Sequence, residues 1–344
     1  MVSQAPRRAT VRQVAAETGL SIATVSRVLN GHPHVAQHTR ELIERAVDRL
    51  GPHAPSPRSA RMRAVTPAPR AVFVRCPYQL TDYFGLIVSS IAETLQLHGR
   101  HLILDAGQIA QNETVLPTLA GRPGIGGAIL ILPPEPGQQL EDLRTRGFPF
   151  VVVDPRTPPP RDIPAVSAAH FAGGRALSEH LLHLGHRRIG VLAGPQNWLA
   201  GKARLAGHTS ALADIGILAD PSLIRSAEPT TQFGYRAAGE LLDLPDRPTA
   251  IIGFNDKVAV GALAAAAERG LRVPADVSVT GFDDIDLAQA TTPQLTTVRQ
   301  PLQEMGRMAV GLMIRLLERH QLHALHIELA TELVIRNSTG PVRR

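Results

Sequence analysis

The first fifty residues contain three short stretches in which apolar residues recur every three or four positions, the spacing of an α-helix. The first stretch starts with Thr10–Gln13, a hydroxyl followed three residues later by a glutamine, which is the pattern of a capping box. Gly19 predicts a left-handed turn that ends this helix, and Ser21 predicts the cap of a second helix over Ile22–Leu29. A third helix is predicted over Thr39–Leu50, so this segment is predicted to be a small all-α domain.

From residue 71 onward the pattern changes to short apolar runs that alternate with amphipathic stretches. This alternation predicts parallel sheets with helices on both faces, and the units are too numerous for one sheet, so we expect a two-lobed α/β domain with a cleft between the lobes. Strands are expected over Ala71–Val74, His101–Leu104, Ala128–Leu132, Phe150–Val153, Ile189–Ala193, Leu223–Ser226, Ala250–Gly253 and Val277–Thr280. Helices are expected over Leu86–Leu97, Leu140–Arg146, Gly174–Leu184, Ala203–Ile215 and Lys257–Arg269.

Residues 52–70 separate the two patterns and contain five prolines and four arginines, the composition of a linker. Within it, Ser56 followed by Pro57 is suited to begin one or two helical turns, because the missing N–H of proline does no harm at the first helical position. A flexible linker without regular structure is the alternative interpretation.

The positive charge of the chain is concentrated near its N-terminus. Residues 1–70 contain eleven arginines and only four acidic residues, whereas the whole chain has a formal net charge of +6. A basic terminal module attached to a body without excess positive charge is typical of proteins that bind nucleic acid. A solvated basic tail is the alternative that the charge alone leaves open.

Two short helices joined by a turn with a glycine form a helix-turn-helix, in which the start of the second helix reaches base edges in the major groove. Ile22 and Ala23 occupy that start and offer apolar contacts, and Arg27 one turn later is able to bind a guanine with both arms of its guanidinium. The short polar residues around them are suited to phosphate contacts, although some of them serve only as helix caps in the alternative interpretation. These residues are Thr10, Ser21, Thr24, Ser26 and Asn30.

The sequence from Ala23 to Asn30, ATVSRVLN, resembles the DNA-binding motif of the LacI/GalR family of repressors. The resemblance continues in four blocks of the body: 185–195, 255–262, 270–284 and 295–301. It implies that the body has the periplasmic-binding-protein-like fold, forms a homodimer and binds a small effector in its cleft, with a sugar or a related metabolite as the expected class. It also implies that double-stranded DNA with a palindromic operator is the partner, and that Met62 is the apolar wedge of a hinge helix in the minor groove.

The same resemblance implies which residues contact the effector. Arg204 matches an arginine that grips effector oxygens, Asp283 matches an acceptor for hydroxyl or ring N–H groups, and Asn255 and Asp154 match further polar contacts. Asp82, Tyr83 and Phe84 follow the first strand, where the family has polar and aromatic contacts, and Gln300 is a weaker candidate. Each of these residues has a structural alternative, either as a cap at a strand end or as a hydrogen bond between the lobes.

The pocket is also where the chain departs from its family. Ala169 and His170 stand where many members have Asp-Asn, and Pro229 stands where an aromatic residue usually stacks on the ligand. Trp198 is a candidate to replace that aromatic residue, although the sequence does not place it. A pocket with fewer hydroxyl-binding groups is less suited to a simple sugar, and it leaves open a regulator without an effector. A cytoplasmic ligand-binding protein on the same scaffold is a separate alternative, and the basic N-terminal module argues against it.

Several classes of function are not expected. The chain has a single cysteine, Cys76, no apolar run long enough to cross a membrane and no secretory signal, so we expect a cytoplasmic protein without a membrane partner. His180, His183 and His186 recur every three residues, as metal ligands on a helix can, but Gly185 ends the helix before His186 and no carboxylate or cysteine joins them at ligand spacing. We therefore expect no metal, no cofactor and no enzymatic activity.

The expected division of the chain follows from these patterns. Residues 1–51 are the helix-turn-helix domain, 52–70 the hinge, 71–338 the effector and dimerisation domain, and 339–344 a tail. Within the body, we expect lobe 1 to comprise about 71–167 and 300–326, and lobe 2 to comprise about 168–299 and 327–338.

Overall fold

The structure, a computed structural model, describes residues 10–29, 35–50 and 71–342. The chain divides into two compact units, residues 1–69 and 70–344. This division separates the predicted helical domain and hinge from the predicted α/β body. Asn30, Met62 and the linker that contains it lie outside the described residues.

The N-terminal unit contains the helices α1 (Val11–Thr18), α2 (Ile22–Leu29) and α3 (Gln37–Arg49). The second helix has the predicted bounds, and the third begins two residues before the predicted start. Val14, Val25 and Ile43, one from each helix, are fully buried at the centre of a shared core. A core assembled from single apolar stripes is what the helical spacing in the sequence predicts.

The predicted caps of the first two helices are present. The N–H of Thr10 donates to Gln13 Oε1 at 2.7 Å, which is the glutamine arm of the capping box. Gly19 has a φ of 69°, the left-handed conformation that ends a helix. The N–H of Thr24 donates to Ser21 Oγ at 3.1 Å, so Ser21 caps α2.

The body contains two parallel sheets, one in each lobe, and a small antiparallel pair. The lobe 1 sheet has the strand order β11-β5-β4-β3-β1-β2, the lobe 2 sheet has the order β7-β6-β8-β9, and β10 pairs with β12. The strands are β1 Ala71–Cys76, β2 Leu102–Ala106, β3 Ile125–Ile131, β4 Phe150–Val153, β5 Ala165–Ala168, β6 Ile189–Ala193, β7 Ile224–Ser226, β8 Ala250–Gly253, β9 Ser278–Thr280, β10 Thr297–Arg299, β11 His326–Leu329 and β12 Glu332–Val334.

Helices cover the sheets, as the alternating pattern predicts. They are α4 Asp82–Leu97, α5 Leu116–Leu119, α6 Gly137–Thr145, α7 His170–His183, α8 Leu199–Asp214, α9 Thr231–Leu242, α10 Asp256–Glu268, α11 Asp286–Ala290 and α12 Leu302–Leu317, with 3-10 turns over Ile109–Asn112 and Pro221–Leu223. Most of the predicted helices of the body begin three or four residues before the predicted start.

Two boundaries of the expected division need correction. Residues 327–338 were assigned to lobe 2, but β11 pairs in parallel with β5 of the lobe 1 sheet, so the chain returns to lobe 2 only after Leu329. Residues 339–344 were expected to be a tail, but Thr339 bonds to His180, and the carbonyl of Gly340 bonds to His186 at 3.0 Å. Backbone pairing attaches β11 to lobe 1, and the polar contacts attach Thr339 and Gly340 to lobe 2. The sequence pattern shows neither which sheet a strand joins nor which residue a polar group binds.

Three connecting segments cross between the lobes, at 168–170, 299–302 and 329–332, and they lie side by side beneath the cleft. The N–H of Ala169 donates to the carbonyl of Leu329 at 2.8 Å, which joins the first crossover to the third. The carboxyl ends of the strands of both sheets face this region, which is where open α/β sheets bind ligands.

Glycines allow the helix pairs of lobe 2 to touch backbone to backbone. A Cβ on Gly207 of α8 would lie 2.3 Å from the carbonyl oxygen of Phe171 in α7, and one on Gly234 of α9 would lie 2.1 Å from that of Val258 in α10. No side chain fits at these distances, so the glycines set the spacing of α8, which carries Arg204, and of α10, which Asn255 caps.

We predict that Gly234→Ala lowers the free energy of unfolding by about 1–3 kcal/mol, because the added methyl group must push α9 and α10 apart. Gly311→Ala in α12 is the matched control, since a Cβ there meets no atom within 4 Å. The control should be neutral or more stable by up to about 1 kcal/mol. Thermal unfolding of both variants tests the prediction, and equal effects of the two substitutions would contradict it.

Candidate functional site

The predicted reading residues lie on the exposed side of α2. Ile22 is 50% exposed, an unusual exposure for a large apolar residue, and Ala23 and Arg27 are exposed with it. Val25 and Val28 of the same helix are buried in the core. The helix therefore presents an apolar start and an arginine to its surroundings, as the sequence predicts.

Among the predicted phosphate contacts, Ser21 and Thr24 also serve the helix itself. Their hydroxyl oxygens lie 2.8 Å apart, and Ser21 Oγ accepts the N–H of Thr24. Thr10 is exposed at the start of α1 and Ser26 is half-buried on α2. The capping role that the sequence analysis left open is thus present for Ser21, and it coexists with exposure.

The body contains a cavity of about 340 Å³ between the lobes, at the carboxyl ends of the strands. That volume is within the usual range for small-molecule sites. Its walls combine aromatic rings with amide and charged groups. They include Tyr78, Gln79, Thr81, Tyr83, Phe84, Gln108, Gln111, Leu132, Asp154, Trp198, Arg204, Glu228, Pro229, Phe254, Asn255, Lys257, Asp283 and Ile285.

Three charged residues of the wall, Asp154, Arg204 and Asp283, form what we call the floor of the cavity, and Arg204 of α8 lies at its centre. Its Nη1 donates to the carbonyl of Phe254 at 2.6 Å, and its Nη2 lies 3.8 Å from Asp283 Oδ1. The guanidinium carbon lies 3.7 Å from the centre of the Phe282 ring and 4.5 Å from that of Phe254. The charge is therefore held between two aromatic faces and retains limited freedom to turn toward a ligand.

His170, at the start of α7, joins this arginine to lobe 1. Arg204 Nε and Nη2 lie 3.4 and 3.3 Å from His170 Nδ1, and His170 Nε2 lies 2.7 Å from Asp154 Oδ1. A guanidinium only donates, so Nδ1 must be the acceptor and the imidazole proton is on Nε2. His170 therefore donates to Asp154 and accepts from Arg204, a linkage between the lobes.

The pKa values of two carboxylates of the floor, Asp283 and Asp154, are shifted in opposite directions. Burial raises the pKa of Asp283 to about 7, against the opposing effects of Arg204 and of the Gln300 amide, whose Nε2 lies 2.6 Å from Asp283 Oδ1. Burial also opposes the charged form of Asp154, but its contacts with His170, Arg204 and Tyr83 lower its pKa below the ordinary value. The floor therefore binds or releases a proton at Asp283 near neutral pH.

Backbone strain is concentrated at the same strand ends. Leu132, Asp154 and Asp283 have φ values of 44°, 51° and 113°, in the left-handed region that residues with a side chain rarely adopt. All three residues line the cavity. A strained backbone conformation of this kind persists where the surrounding contacts stabilise it, and it is common at binding sites.

Contacts between the lobes also form the rim of the cavity. Arg156 of lobe 1 donates to the hydroxyl of Tyr78 and lies 4.9 Å from the ring centre of Trp198 in lobe 2. On α10, Lys257 Nζ donates to Thr81 Oγ1 of lobe 1 at 2.8 Å. These contacts hold the two lobes together around the cavity.

The structure brings together most of the residues that the family resemblance implies. Tyr83, Phe84, Asp154, Arg204, Asn255 and Asp283 all line the cavity. Asp82 is exposed at the start of α4 and is absent from the wall, because the turn of the helix directs it away from Tyr83. Gln300 is also absent from the wall, and its Nε2 donates to Asp283 Oδ1.

Sequence reasoning missed the role of His170, which it treated only as a departure from the family. The signal was a single histidine in place of an asparagine, and only the position of Arg204 shows what it binds. Trp198, which the sequence did not place, is 7% exposed and forms part of the wall. Pro229 lies in the same wall.

The described part of the chain, 10–29, 35–50 and 71–342, contains no group of three or more His, Cys, Asp or Glu residues arranged to hold a metal ion. Within the same ranges, none of the helices combines the length and the apolar character needed to cross a membrane.

Comparison with known proteins agrees with this architecture. The profile described as bacterial regulatory proteins, lacI family, matches residues 10–53, and the profile described as periplasmic binding protein-like domain matches residues 178–339. The HTH-type transcriptional repressor CytR of Escherichia coli strain K12 is 33% identical over 333 residues, which is 96% of each chain.

Solved structures are similar over the same length. The complex of the transcriptional regulator CelR with cellobiose has a TM-score of 0.71 and 31% identity, covering 96% of this chain and 100% of that one. The dimer of the lac repressor bound to operator and the anti-inducer ONPF has a TM-score of 0.70 and 28% identity, covering 97% of this chain and 100% of that one.

We predict that Asp283→Asn stabilises the protein more at pH 8 than at pH 5. The folded pKa of about 7 lies above the ordinary 3.8, so the cost of the buried carboxylate is absent below pH 4 and grows until pH 7. Each pH unit between the two values corresponds to roughly 1.4 kcal/mol at most. Thermal unfolding at both pH values measures the gain, with the exposed Asp246→Asn as control, and an equal gain at both pH values would refute the assignment.

Proposed function

The chain belongs to the LacI family of bacterial regulatory proteins, and from this premise we propose residue roles and a ligand class for its two sites. The protein is a DNA-binding transcriptional regulator with an effector-binding domain. We assign operator reading to α2 and effector binding to the cavity between the lobes. The observation that carries the proposal is the convergence of Arg204, Asp283 and Asn255 on one cavity in a chain that also exposes Ile22, Ala23 and Arg27.

On the operator, Arg27 reads a guanine and the apolar start of α2 contacts thymine methyl groups. The exposure of Ile22 supports this role, because half of a large apolar side chain is left open to a partner. Thr10, Ser21, Thr24 and Ser26 surround it as phosphate contacts. The roles of Asn30 as a phosphate contact and of Met62 as a minor-groove wedge rest on the sequence alone.

We predict that Arg27→Ala weakens operator binding by about 1–3 kcal/mol and relaxes the preference at one base pair of each half-site. The operator is first selected from a random pool of DNA, and fluorescence anisotropy then measures the affinity of each variant. Arg307→Ala, which removes an exposed arginine from the body with the same change of net charge, is the control and should bind as the unmodified protein. Equal weakening on operator and random DNA would contradict base reading by Arg27.

The proposed effector is a neutral sugar or a related metabolite. Aromatic faces and amide groups line the cavity together, a combination suited to the ring faces and hydroxyl groups of such molecules. The related regulator CelR was solved with cellobiose. Arg204 has its donors directed to Phe254 and His170, which disfavours an anionic ligand that needs a free guanidinium.

The existing hydrogen bonds of Arg204 also favour a second candidate: a regulator of this family whose cleft does not respond to an effector. His170 and Phe254 hold the arginine without a ligand, and Pro229 replaces the usual aromatic residue. Binding of any metabolite in the cavity would exclude this candidate.

We predict that titration with the effector changes the fluorescence of Trp198, the only tryptophan of the chain, because it forms part of the cavity wall. A panel of neutral mono- and disaccharides, beginning with cellobiose, serves as the set of probes. Asp283→Ala should weaken binding at least about tenfold, since it removes a buried hydrogen-bonding group from the floor. Asp82→Ala is the control, because Asp82 lies outside the wall, and it should leave the affinity unchanged. If none of the sugars changes the fluorescence of Trp198, the sugar assignment is contradicted.

We further propose that the protein acts as a homodimer in the cytoplasm and regulates rather than catalyses. The related lac repressor binds its operator as a dimer, and CytR is a transcriptional repressor. In lobe 1, β2 lies at the edge of the sheet and exposes Ile103 and Leu104, at 45% and 40%, which favours burial against a second subunit.

A further inference from the structure

Arg75 in β1 is an arginine within the core of lobe 1. The strand alternates its side chains, so that Val72 and Val74 face one core cluster while Phe73 and Arg75 face the opposite side of the sheet. Arg75 is only 1% exposed, and it is among the largest fully buried side chains of the described residues. A charge at such a depth must be matched by partners on every side.

The partners of Arg75 are two acids and two backbone carbonyls. Its Nη1 donates to Asp105 at the end of β2, and its Nε lies 2.9 Å from Glu135 Oε1 in a charge contact without hydrogen-bond geometry. Its Nη2 donates to the carbonyl of Ala110 at 2.7 Å and to that of Glu113 at 2.9 Å. The guanidinium therefore attaches the segment after β2 to β1, the neighbour of β2 in the sheet.

The attached segment, residues 107–113, forms part of the cavity wall. Gln108 and Gln111 line the cavity, and the two carbonyls bound by Arg75 lie on either side of Gln111 along the chain. Ala110 is buried, but its neighbour Ile109 is 80% exposed, so the segment has little apolar packing of its own. A segment with so few buried apolar contacts opens easily unless polar contacts hold it.

We propose that Arg75 is a positioning residue for effector recognition: it holds residues 107–113 so that the amides of Gln108 and Gln111 face the ligand. This inference rests on the proposed function of the cavity as the effector site. The two amides then act as specificity-determining contacts from lobe 1, opposite Arg204 and Asp283 of lobe 2. Because an arginine offers five N–H donors in a rigid plane, a lysine cannot make the same four contacts.

Hydrogen–deuterium exchange of the full-length protein tests the positioning step without a ligand. Arg75→Met should raise the exchange rate of amides in 107–113 by about tenfold or more, while the amides of β1 and β4 stay protected. Because Arg75→Met leaves Glu135 buried without its charge partner, the double variant Arg75→Met/Glu135→Met keeps the core apolar and should show the same local increase. Arg75→Lys should give an exchange rate in 107–113 between those of the unmodified protein and Arg75→Met.

Arg144→Met is the matched control, since it removes an exposed arginine of the same lobe that pairs with Asp162. It should leave exchange in 107–113 unchanged. Unchanged exchange in the double variant would overturn the proposal, and so would a uniform rise across the lobe in that variant, because Arg75 would then support the core rather than the segment.

The ligand arm uses cellobiose and the sugar panel, with Trp198 fluorescence as the readout. Gln111→Ala should weaken binding at least about fivefold without altering exchange in 107–113, whereas the double variant should weaken binding and loosen the segment together, with operator affinity unchanged in both. Unchanged sugar affinity in the double variant would overturn the proposal. If the unmodified protein binds none of the sugars, the sugar assignment fails, and the exchange measurement alone decides the role of Arg75.

Discussion

The guanidinium of Arg204 is the interaction on which the cleft depends. A buried charge is tolerated only where hydrogen bonds and opposite charges surround it. Its partners come from three places that are distant in sequence: His170 after the first crossover, Phe254 after β8, and Asp283 after β9. Through His170 the arginine also reaches Asp154 of lobe 1. Satisfying one charge thus sets the relative positions of the strand ends that form the cavity.

The strained turn after β9 is held by a second set of charges. Asp284 has a φ of 55° and a buried carboxylate that accepts from Arg299 at 2.8 Å and from Arg336 at 2.6 Å. Asp256 accepts the N–H of Ile285 at 3.0 Å from the other side. Arg299 lies in one of the segments that cross between the lobes, so its contact attaches the turn that carries Asp283 to that segment. Asp283 therefore lies in a turn that is attached both to a segment connecting the two lobes and to Asp256.

In each lobe, a buried arginine binds backbone carbonyls of a segment beside the cavity. In lobe 1, Arg75 binds two backbone carbonyls and holds residues 107–113 at the cavity. In lobe 2, Arg204 binds the carbonyl of Phe254 and holds the floor. Both arginines are positioned by their own sheet or helix and direct their donors to irregular backbone, which has no ladder to satisfy its carbonyls. Loops and the first turns of helices line the cavity, and buried guanidinium groups bind the backbone of two of those loops.

The sequence by itself predicted the division into a helical domain and an α/β body, the three N-terminal helices and the strands β1–β4 and β6–β9, but it did not predict β5, β10–β12, α9 or α12. Phe150–Val153, Ile189–Ala193 and Ala250–Gly253 were predicted with their observed bounds, because a buried strand leaves a continuous apolar run. Only the tertiary structure decided that β11 joins lobe 1, that Asp82 turns away from the cavity and that His170 connects Arg204 to Asp154. Periodicity records which side of an element is buried, whereas the partner of a buried polar group comes from a distant segment and is set only when strand ends converge.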